Sequence, residues 1–308
     1  MTYTFQVEFK NSLLDNEVNL KYLTSAPNSL LKDVESYMFK SLMGDTKSVA
    51  HESTILRQAI KYHLFSGGQR LRARLALDAG EALSLYNQDN IVIAAAVELI
   101  HNASLIHDDL QDGDQFRRSL ESVWSKFGSN EAICCGDFYL SCAYSSITSV
   151  SKTVFLPKMI RIMHQRIAEA SHGQSADLNV IPEQLDLETY IRVVMAKSGA
   201  LLSLPLELVL IYAGFDEASH EARQACRDFA VGFQIFDDLR DLATDTRAVE
   251  DGGNRLNITR IVEHQAAKEI ASMHLKSAEL LLTNLPARAG SLLEECAKNI
   301  TRLLNAIH

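Results

Sequence analysis

Residues 98–112 read ELIHNASLIHDDLQD, and residues 232–241 read GFQIFDDLRD. Both end in the pattern D-D-x-x-D, giving Asp108, Asp109 and Asp112 in the first and Asp237, Asp238 and Asp241 in the second. An apolar stretch with residues three and four apart precedes each cluster, the signature of a helix with a buried face. Helical positions four apart project within about 40° of each other. Asp108 and Asp112 therefore share a face, as do Asp237 and Asp241. Like charges at that spacing destabilise a bare helix. One such cluster reads equally as a solvated acidic helix end, whereas two copies on apolar helices call for a counter-ion. Mg2+ fits, because it is a hard cation that takes a few carboxylates together with substrate phosphates.

The same periodicity runs outward from the two clusters. It begins near Ser29, is clear in LLKDVESYMFKSL at 30–42, and recurs almost to the end of the chain. Of 308 residues 47% are apolar and 22% charged, so the chain can build a core and is not largely disordered. Five prolines and fourteen glycines are few for this length and favour helices over sandwiches or barrels. Pro205 falls inside an apolar helical run and is expected to kink it. No linker-like stretch divides the chain. The expected architecture is all-α, one helical bundle over residues 29–308 with about ten helices. Residues 1–28 are expected to be an irregular or short extended N-terminal arm.

Charge and cysteine content narrow the class further. The net charge of -9 argues against nucleic acid as the main partner. The cysteines, at 134, 135, 142, 226 and 296, are odd in number and form no C-x-x-C pair, so a reduced compartment fits better than a disulfide framework. The first residues lack a basic start followed by an apolar run, and no stretch reaches the roughly 18 consecutive apolar residues of a membrane span. A cytoplasmic protein without stable membrane insertion is expected.

Carboxylate-bound Mg2+ would hold a diphosphate, and a diphosphate also needs cations. SGGQRLRARL places Arg70, Arg72 and Arg74 just after Gly67 and Gly68, where a tight turn and close backbone approach are possible. Arg117 and Arg118 follow the first cluster by five residues. Guanidinium forks match phosphate oxygens, although either group could also decorate a surface. Lys197 stands within the apolar run MAKSGALL, where a lysine needs a partner or a task.

In this order, GGQRLR (67–72), ELIHNASLIHDDLQD (98–112), FRR (116–118), GD (136–137), GQSADL (173–178), KSGALL (197–202) and GFQIFDDLRD (232–241) resemble the trans-isoprenyl diphosphate synthases, geranylgeranyl and polyprenyl diphosphate synthases among them. The resemblance covers residues 55–245 strongly and the C-terminal helices more loosely. It implies an all-α bundle around a deep central cavity, a homodimer, and condensation of isopentenyl diphosphate head-to-tail with an allylic diphosphate. It further implies three Mg2+ ions per active site, held by Asp108, Asp109, Asp112, Asp237, Asp238 and Asp241. Arg117 would contact the allylic diphosphate. Gly68, Gln69, Arg72, His101 and Arg118 would form the isopentenyl diphosphate site, and Lys197, Ser198, Phe233 and Gln234 would line the reaction centre. Away from this context His101 would read as a core histidine.

Two positions depart from the family pattern. Gln69 stands where a lysine is usual, and no lysine occurs between Lys197 and Lys268, where the family has a Gly-Lys pair after the second cluster. Arg247 or Arg255 could substitute. The resemblance also bears on product length, because a bulky aromatic four or five residues before the first aspartate stops growth at fifteen carbons. Here those positions are Ala103 and Ser104, both small, and the first cluster lacks the two-residue insertion of bacterial farnesyl synthases. The cavity floor is then expected among Phe138, Tyr139 and Tyr144, which could equally be core residues. A product of twenty carbons or more is expected. The competing readings are a class I terpene cyclase-like enzyme that ionises a prenyl diphosphate without elongation, and a non-catalytic partner subunit of a heteromeric synthase.

Overall fold

Two helices are apolar on nearly every side, and other described helices pack around them. One is α4 (Asn87–Asp112), buried from Asp89 to Ile100. The other is α9 (Ala200–Ala213), buried from Ala200 to Tyr212. A helix hydrophobic all round belongs in a core. Both are long and apolar enough to cross a membrane by length and composition, α9 when counted with the helical turns before it, yet 78% of each such stretch is buried within the protein. The computed structural model describes residues 29–44, 54–244 and 256–307, and the side chains of 241–244 lie outside that description. The expected N-terminal arm, Arg247 and Arg255 also lie outside the described residues.

The described residues form twelve α-helices rather than ten. α1 (Leu31–Met43), α2 (Ile55–Phe65) and α3 (Leu71–Ala82) precede α4. A short α5 (Val123–Phe127), α6 (Ser129–Ile147), α7 (Leu156–Leu178) and α8 (Leu187–Val194) lie between α4 and α9. α10 (Ala218–Thr244), α11 (His264–Thr283) and α12 (Ser291–Ala306) complete the bundle. The extra helices are short pieces such as α5 and α8, which hydrophobic periodicity does not separate from their neighbours. α4 packs on α1, α3, α6 and α9, and α9 on α3, α7 and α10, so these two form the centre.

Local chemistry sets the boundaries. Thr54 caps α2 by accepting from the Arg57 amide at 3.3 Å, and Asp186 caps α8 by accepting from the Thr189 amide at 2.8 Å. α4 stops at Gly113 in the left-handed region (φ 76°). Glu207 lies in the middle of α9 and is tolerated because Arg166 of α7 donates to both its oxygens, at 2.7 and 2.9 Å. α8 runs into α9 through a π-helical turn at Met195–Gly199, and α9 then continues as one helix through Pro205. π-turns concentrate at functional sites, and this one carries Lys197 and Ser198.

The all-α bundle carries one small strand pair among the described residues. Residues 116–121 form a hairpin of two-residue strands, β1 (Phe116–Arg117) and β2 (Leu120–Glu121). Its turn residues Arg118 and Ser119 both have positive φ, 53° and 63°. Mirror-image turns of this kind match the twist of a tight hairpin but favour Gly or Asn, so FRRSL carries no sequence signal for it. Left-handed non-glycine residues held in place by their surroundings recur at functional sites.

Candidate active site

α4 delivers the first aspartate cluster at its C-terminal end, and α10 delivers the second near its own. Beneath the first cluster is a cavity of about 470 Å³. Its mouth holds His107, Asp108, Gln111 and Lys197, and its wall includes Ala103, Ser104, Leu140, Ile167, Leu178 and Leu201. Ala103 and Ser104 are among its lining residues. The aromatic floor candidates do not appear among the lining residues, and Leu140 supplies the α6 wall instead. Tyr139 is turned away because its buried hydroxyl donates to the Ile60 carbonyl at 3.0 Å. Phe138 lies on the surface, 36% exposed. Tyr144 packs half-buried against the core, one helical turn beyond Leu140.

The first cluster is held by cations. Arg117 donates to Asp109 Oδ1 from Nε at 2.6 Å and approaches it with a second guanidinium nitrogen at 2.5 Å. Asp109 is almost fully buried, and among the described residues its Oδ2 has no hydrogen-bond partner. Burial pushes the Asp108 carboxyl up to about 6, with Lys197 and Arg117 opposing the shift and Asp112 and Asp109 adding to it. Burial also raises Asp109 and Asp112. Lys197 donates to Asp177 of α7 at 2.5 Å and lies 3.9 Å from Asp112. Burial pulls its ammonium pKa down, but Asp177, Asp108 and Asp112 outweigh that and leave it raised. Gln174 of α7 donates to Asp112 at 3.1 Å.

Gln174 and Asp177 were not singled out from the sequence, although both fall in GQSADL. Their three-residue spacing, which puts them on one face of a helix, was the available signal. Gly173 brings α7 close to the π-turn, since a Cβ there would stand 2.3 Å from the Lys197 amide nitrogen. Gly136 does the same for α6 against α4, where a Cβ would meet the His107 ring at 2.2 Å.

A second group of cations sits beside the hairpin. Arg72 donates to His101 Nε2 at 2.9 Å. A guanidinium only donates, so this nitrogen accepts and the ring proton belongs on Nδ1. Burial first, then Arg72, Arg118 and Arg117, hold His101 well below the usual histidine range, so the ring is neutral. Arg118 donates to the Gly67 carbonyl, and a Cβ on Gly68 would lie 2.5 Å from its Nη1. Arg70 and Arg74 part company with Arg72. Arg70 is buried and binds Glu35 at 3.3 Å and the Leu64 carbonyl at 3.1 Å, so its role is structural. Arg74 is likewise buried within the core. Gln69 lies half-buried in the turn between Gly68 and Arg70.

In the second cluster, Asp238 accepts from three neutral donors. Asp238 is 2% exposed. Its Oδ2 accepts from the Tyr190 hydroxyl at 2.9 Å and the Ile258 amide at 2.8 Å, and its Oδ1 accepts from Gln234 Nε2 at 3.0 Å. Asp237 pairs with Arg240 at 3.0 Å. Phe233 stacks on Phe229, with ring centroids 5.9 Å apart. Ser198 is half-buried in the π-turn. The Asp241 side chain lies outside the described residues.

An oxygen-only donor set, an orphaned buried oxygen on Asp109 and a carboxyl at Asp108 resisting ionisation suit a hard divalent cation. Among the described residues no three metal-ligating side chains converge on one point. An ion there would complete its shell with water and substrate oxygens, as Mg2+ does.

Comparison with known proteins gives a consistent result. The polyprenyl synthetase family pattern matches residues 53–254. The chain is 29% identical over 204 residues to a short chain isoprenyl diphosphate synthase of Methanocaldococcus jannaschii, covering 66% of this chain and 62% of that protein. It is 30% identical over 259 residues to the farnesyl diphosphate synthase of Bacillus subtilis, covering 78% and 86%. The fold is similar to that of a geranylgeranyl pyrophosphate synthetase from Pyrococcus horikoshii, with a TM-score of 0.75 at 24% identity over 88% of this chain and 95% of that one.

Proposed function

This chain belongs to the polyprenyl synthetase family, and from that premise we propose that it is a Mg2+-dependent prenyltransferase. It joins isopentenyl diphosphate head-to-tail to an allylic diphosphate and releases an all-trans diphosphate of twenty carbons or more. The observation that carries this reading is the adjacency of the first aspartate cluster to a cavity lined partly by apolar side chains, with the small Ala103 and Ser104 on α4 at the two positions four and five residues before Asp108. A growing chain needs a dry channel beginning at the diphosphate, and small residues there leave room for it.

Asp108, Asp109 and Asp112, with Asp237, Asp238 and Asp241, are the candidate holders of Mg2+, for which the family resemblance implies three ions. Bound Mg2+ would neutralise charge on the departing diphosphate. The protein's own part is positioning and water exclusion. Arg117, braced by Asp109, presents a fixed guanidinium to the allylic diphosphate. Arg72, Arg118 and neutral His101 form the isopentenyl diphosphate site. Lys197 adds a cation at the cavity mouth, its orientation fixed by Asp177. Proton loss from the new carbon skeleton needs a base, and the released diphosphate serves, so no protein nucleophile enters.

Two copies of the chain pairing through the outer face of α6, where Ile133 and Phe138 are exposed, would account for that apolar surface. A cytoplasmic location goes with this reading. The decisive experiment supplies isopentenyl diphosphate with dimethylallyl, geranyl or farnesyl diphosphate in turn and identifies the products. Elongation to twenty carbons or more supports the proposal. Ionisation to hydrocarbon or alcohol without consumption of isopentenyl diphosphate overturns it in favour of a cyclase-like enzyme. Ser104→Phe should shorten the product by at least one five-carbon unit.

A further inference from the structure

The hairpin at 116–121 stands on two roots, and different side chains hold them. At the outgoing root, Tyr62 of α2 donates its hydroxyl to the Glu121 carbonyl at 2.8 Å. The Tyr62 ring also carries the Lys126 ammonium, 4.4 Å from its centre, and meets Phe127 edge-on at 5.5 Å. At the incoming root, Trp124 donates its indole N–H to the Asp114 carbonyl at 2.8 Å. The Ser122 amide closes the base of the hairpin by donating to the Gln115 carbonyl at 2.8 Å. Between the roots the chain turns through Arg118 and Ser119 at φ 53° and 63°. Left-handed backbone is unfavourable for residues with a Cβ, so this turn keeps its shape only while its surroundings hold it. A right-handed turn would splay the strands and redirect Arg118. Arg118 donates to the Gly67 carbonyl, two residues beyond the end of α2. One helix thus fixes both the hairpin and the carbonyl that its turn residue reaches.

We propose that Tyr62 is a positioning residue for isopentenyl diphosphate, its hydroxyl pinning the outgoing strand of the hairpin and so holding the left-handed turn that aims Arg118. The inference rests on the proposed prenyl transfer for the identity of the ligand, not for the pin itself. Tyr62 acts through Arg118. Arg117 does not depend on the pin, because Asp109 braces its guanidinium and Trp124 holds the incoming strand at Asp114. Loss of the pin is therefore felt at the isopentenyl site and not at the allylic one. The strain in the turn supplies an independent check. Glycine adopts positive φ without steric cost and is favoured at the second position of such a turn, so Ser119→Gly keeps the hairpin in shape without the pin.

The test compares Tyr62→Phe, Ser119→Gly and the double variant in the full-length protein. Tyr62→Phe removes the hydroxyl and leaves the ring on Lys126 and Phe127. Hydrogen exchange at the Ser122 amide reads the pin without any ligand. Calorimetry with isopentenyl diphosphate alone reads the site without reaction. Steady-state kinetics separate kcat from KM. The expected result for Tyr62→Phe is faster exchange at Ser122, with Kd and KM for isopentenyl diphosphate each raised about three- to tenfold, the scale of one neutral hydrogen bond. Its kcat and its KM for the allylic substrate should stay within about twofold of the parent. Ser119→Gly alone should leave every value within about twofold, and the double variant should return the isopentenyl values to within about twofold of the parent. The proposal is overturned if Tyr62→Phe lowers only the melting temperature and leaves KM for isopentenyl diphosphate unchanged. It is equally overturned if both KM values rise together, or if Ser119→Gly recovers nothing in the Tyr62→Phe background. A parent protein that elongates nothing would remove the proposed reaction, while exchange at Ser122 and binding of isopentenyl diphosphate would still decide the pin.

Discussion

The two D-D-x-x-D clusters are nearly interchangeable as text, but Asp109 of the first and Asp238 of the second meet different partners. Around the first, at 108–112, the partners are full cations, Arg117 and Lys197, and burial still keeps the carboxyls reluctant to ionise. Around the second, Asp238 is met by a phenol, a backbone amide and a side-chain amide. The first cluster is under charge strain that a divalent ion would relieve. In the second, Asp238 already accepts hydrogen bonds from the fold at both oxygens. A shared motif therefore specifies a shared backbone geometry but not a shared task, because the task depends on which groups the neighbouring helices bring to each oxygen.

The strongest way to break this contrast is Asp108→Asn. Activity should fall by about a hundredfold to a thousandfold, the usual cost of removing a group that stabilises transition-state charge. Stability of the Mg2+-free protein at neutral pH should rise. The Asp108 pKa is raised in the fold to about 6, so its protonated form is the one the fold favours. That contribution is present below the ordinary carboxylate pKa and is lost as pH rises through about 6, a difference of at most about 3 kcal/mol. Melting in the presence of a chelator should show the parent losing stability between about pH 4 and 7, with the Asn variant flatter. A variant that melts lower than the parent at neutral pH would erase the contrast.

Asp238→Ala should show the reverse sign. It strands the Tyr190 hydroxyl and the Ile258 amide in the interior, a loss of about 3 kcal/mol in chemical denaturation. Arg117→Lys should have an intermediate effect, because an ammonium cannot reproduce the guanidinium's hold on Asp109. KM for the allylic substrate should rise about tenfold, with a smaller change for isopentenyl diphosphate. The smallest effect belongs to Gln69→Lys, which adds a cation in the turn beside Arg118 and should lower KM for isopentenyl diphosphate by about two- to fivefold. No change would mean that the isopentenyl site is already complete without a lysine at 69.

Much of the site was legible because helical spacing turns sequence distance into spatial direction. The shared face of Asp108 and Asp112 follows from their spacing along α4, whereas the roles expected of Arg117, Ala103 and Ser104 come from the family resemblance. The aromatic floor was not legible. Phe138, Tyr139 and Leu140 are consecutive, and which of them faces the cavity depends on how α6 is rotated against α4. Gly136 against His107 and the Tyr139 hydroxyl on the Ile60 carbonyl set that rotation, and both are long-range contacts. Arg70, Arg72 and Arg74 alternate by two, and only Arg72 meets His101. The hairpin at 116–121 went unseen because its left-handed turn is built from Arg118 and Ser119, which carry no turn signal.

The amino-acid sequence alone determined that this chain is helical, that two aspartate clusters punctuate apolar helices, and that arginines stand close behind the first. Those are consequences of period and composition, which act within a few residues. Only the tertiary structure decided which oxygen each donor reaches, which of two similar aspartates is strained and which is satisfied, and which side chain closes the cavity. Those outcomes depend on contacts between residues far apart in the chain, such as Asp112 with Gln174, Lys197 with Asp177 and Asp238 with Tyr190. Such pairings form only once the helices have packed, and local periodicity carries no information about a partner on another helix.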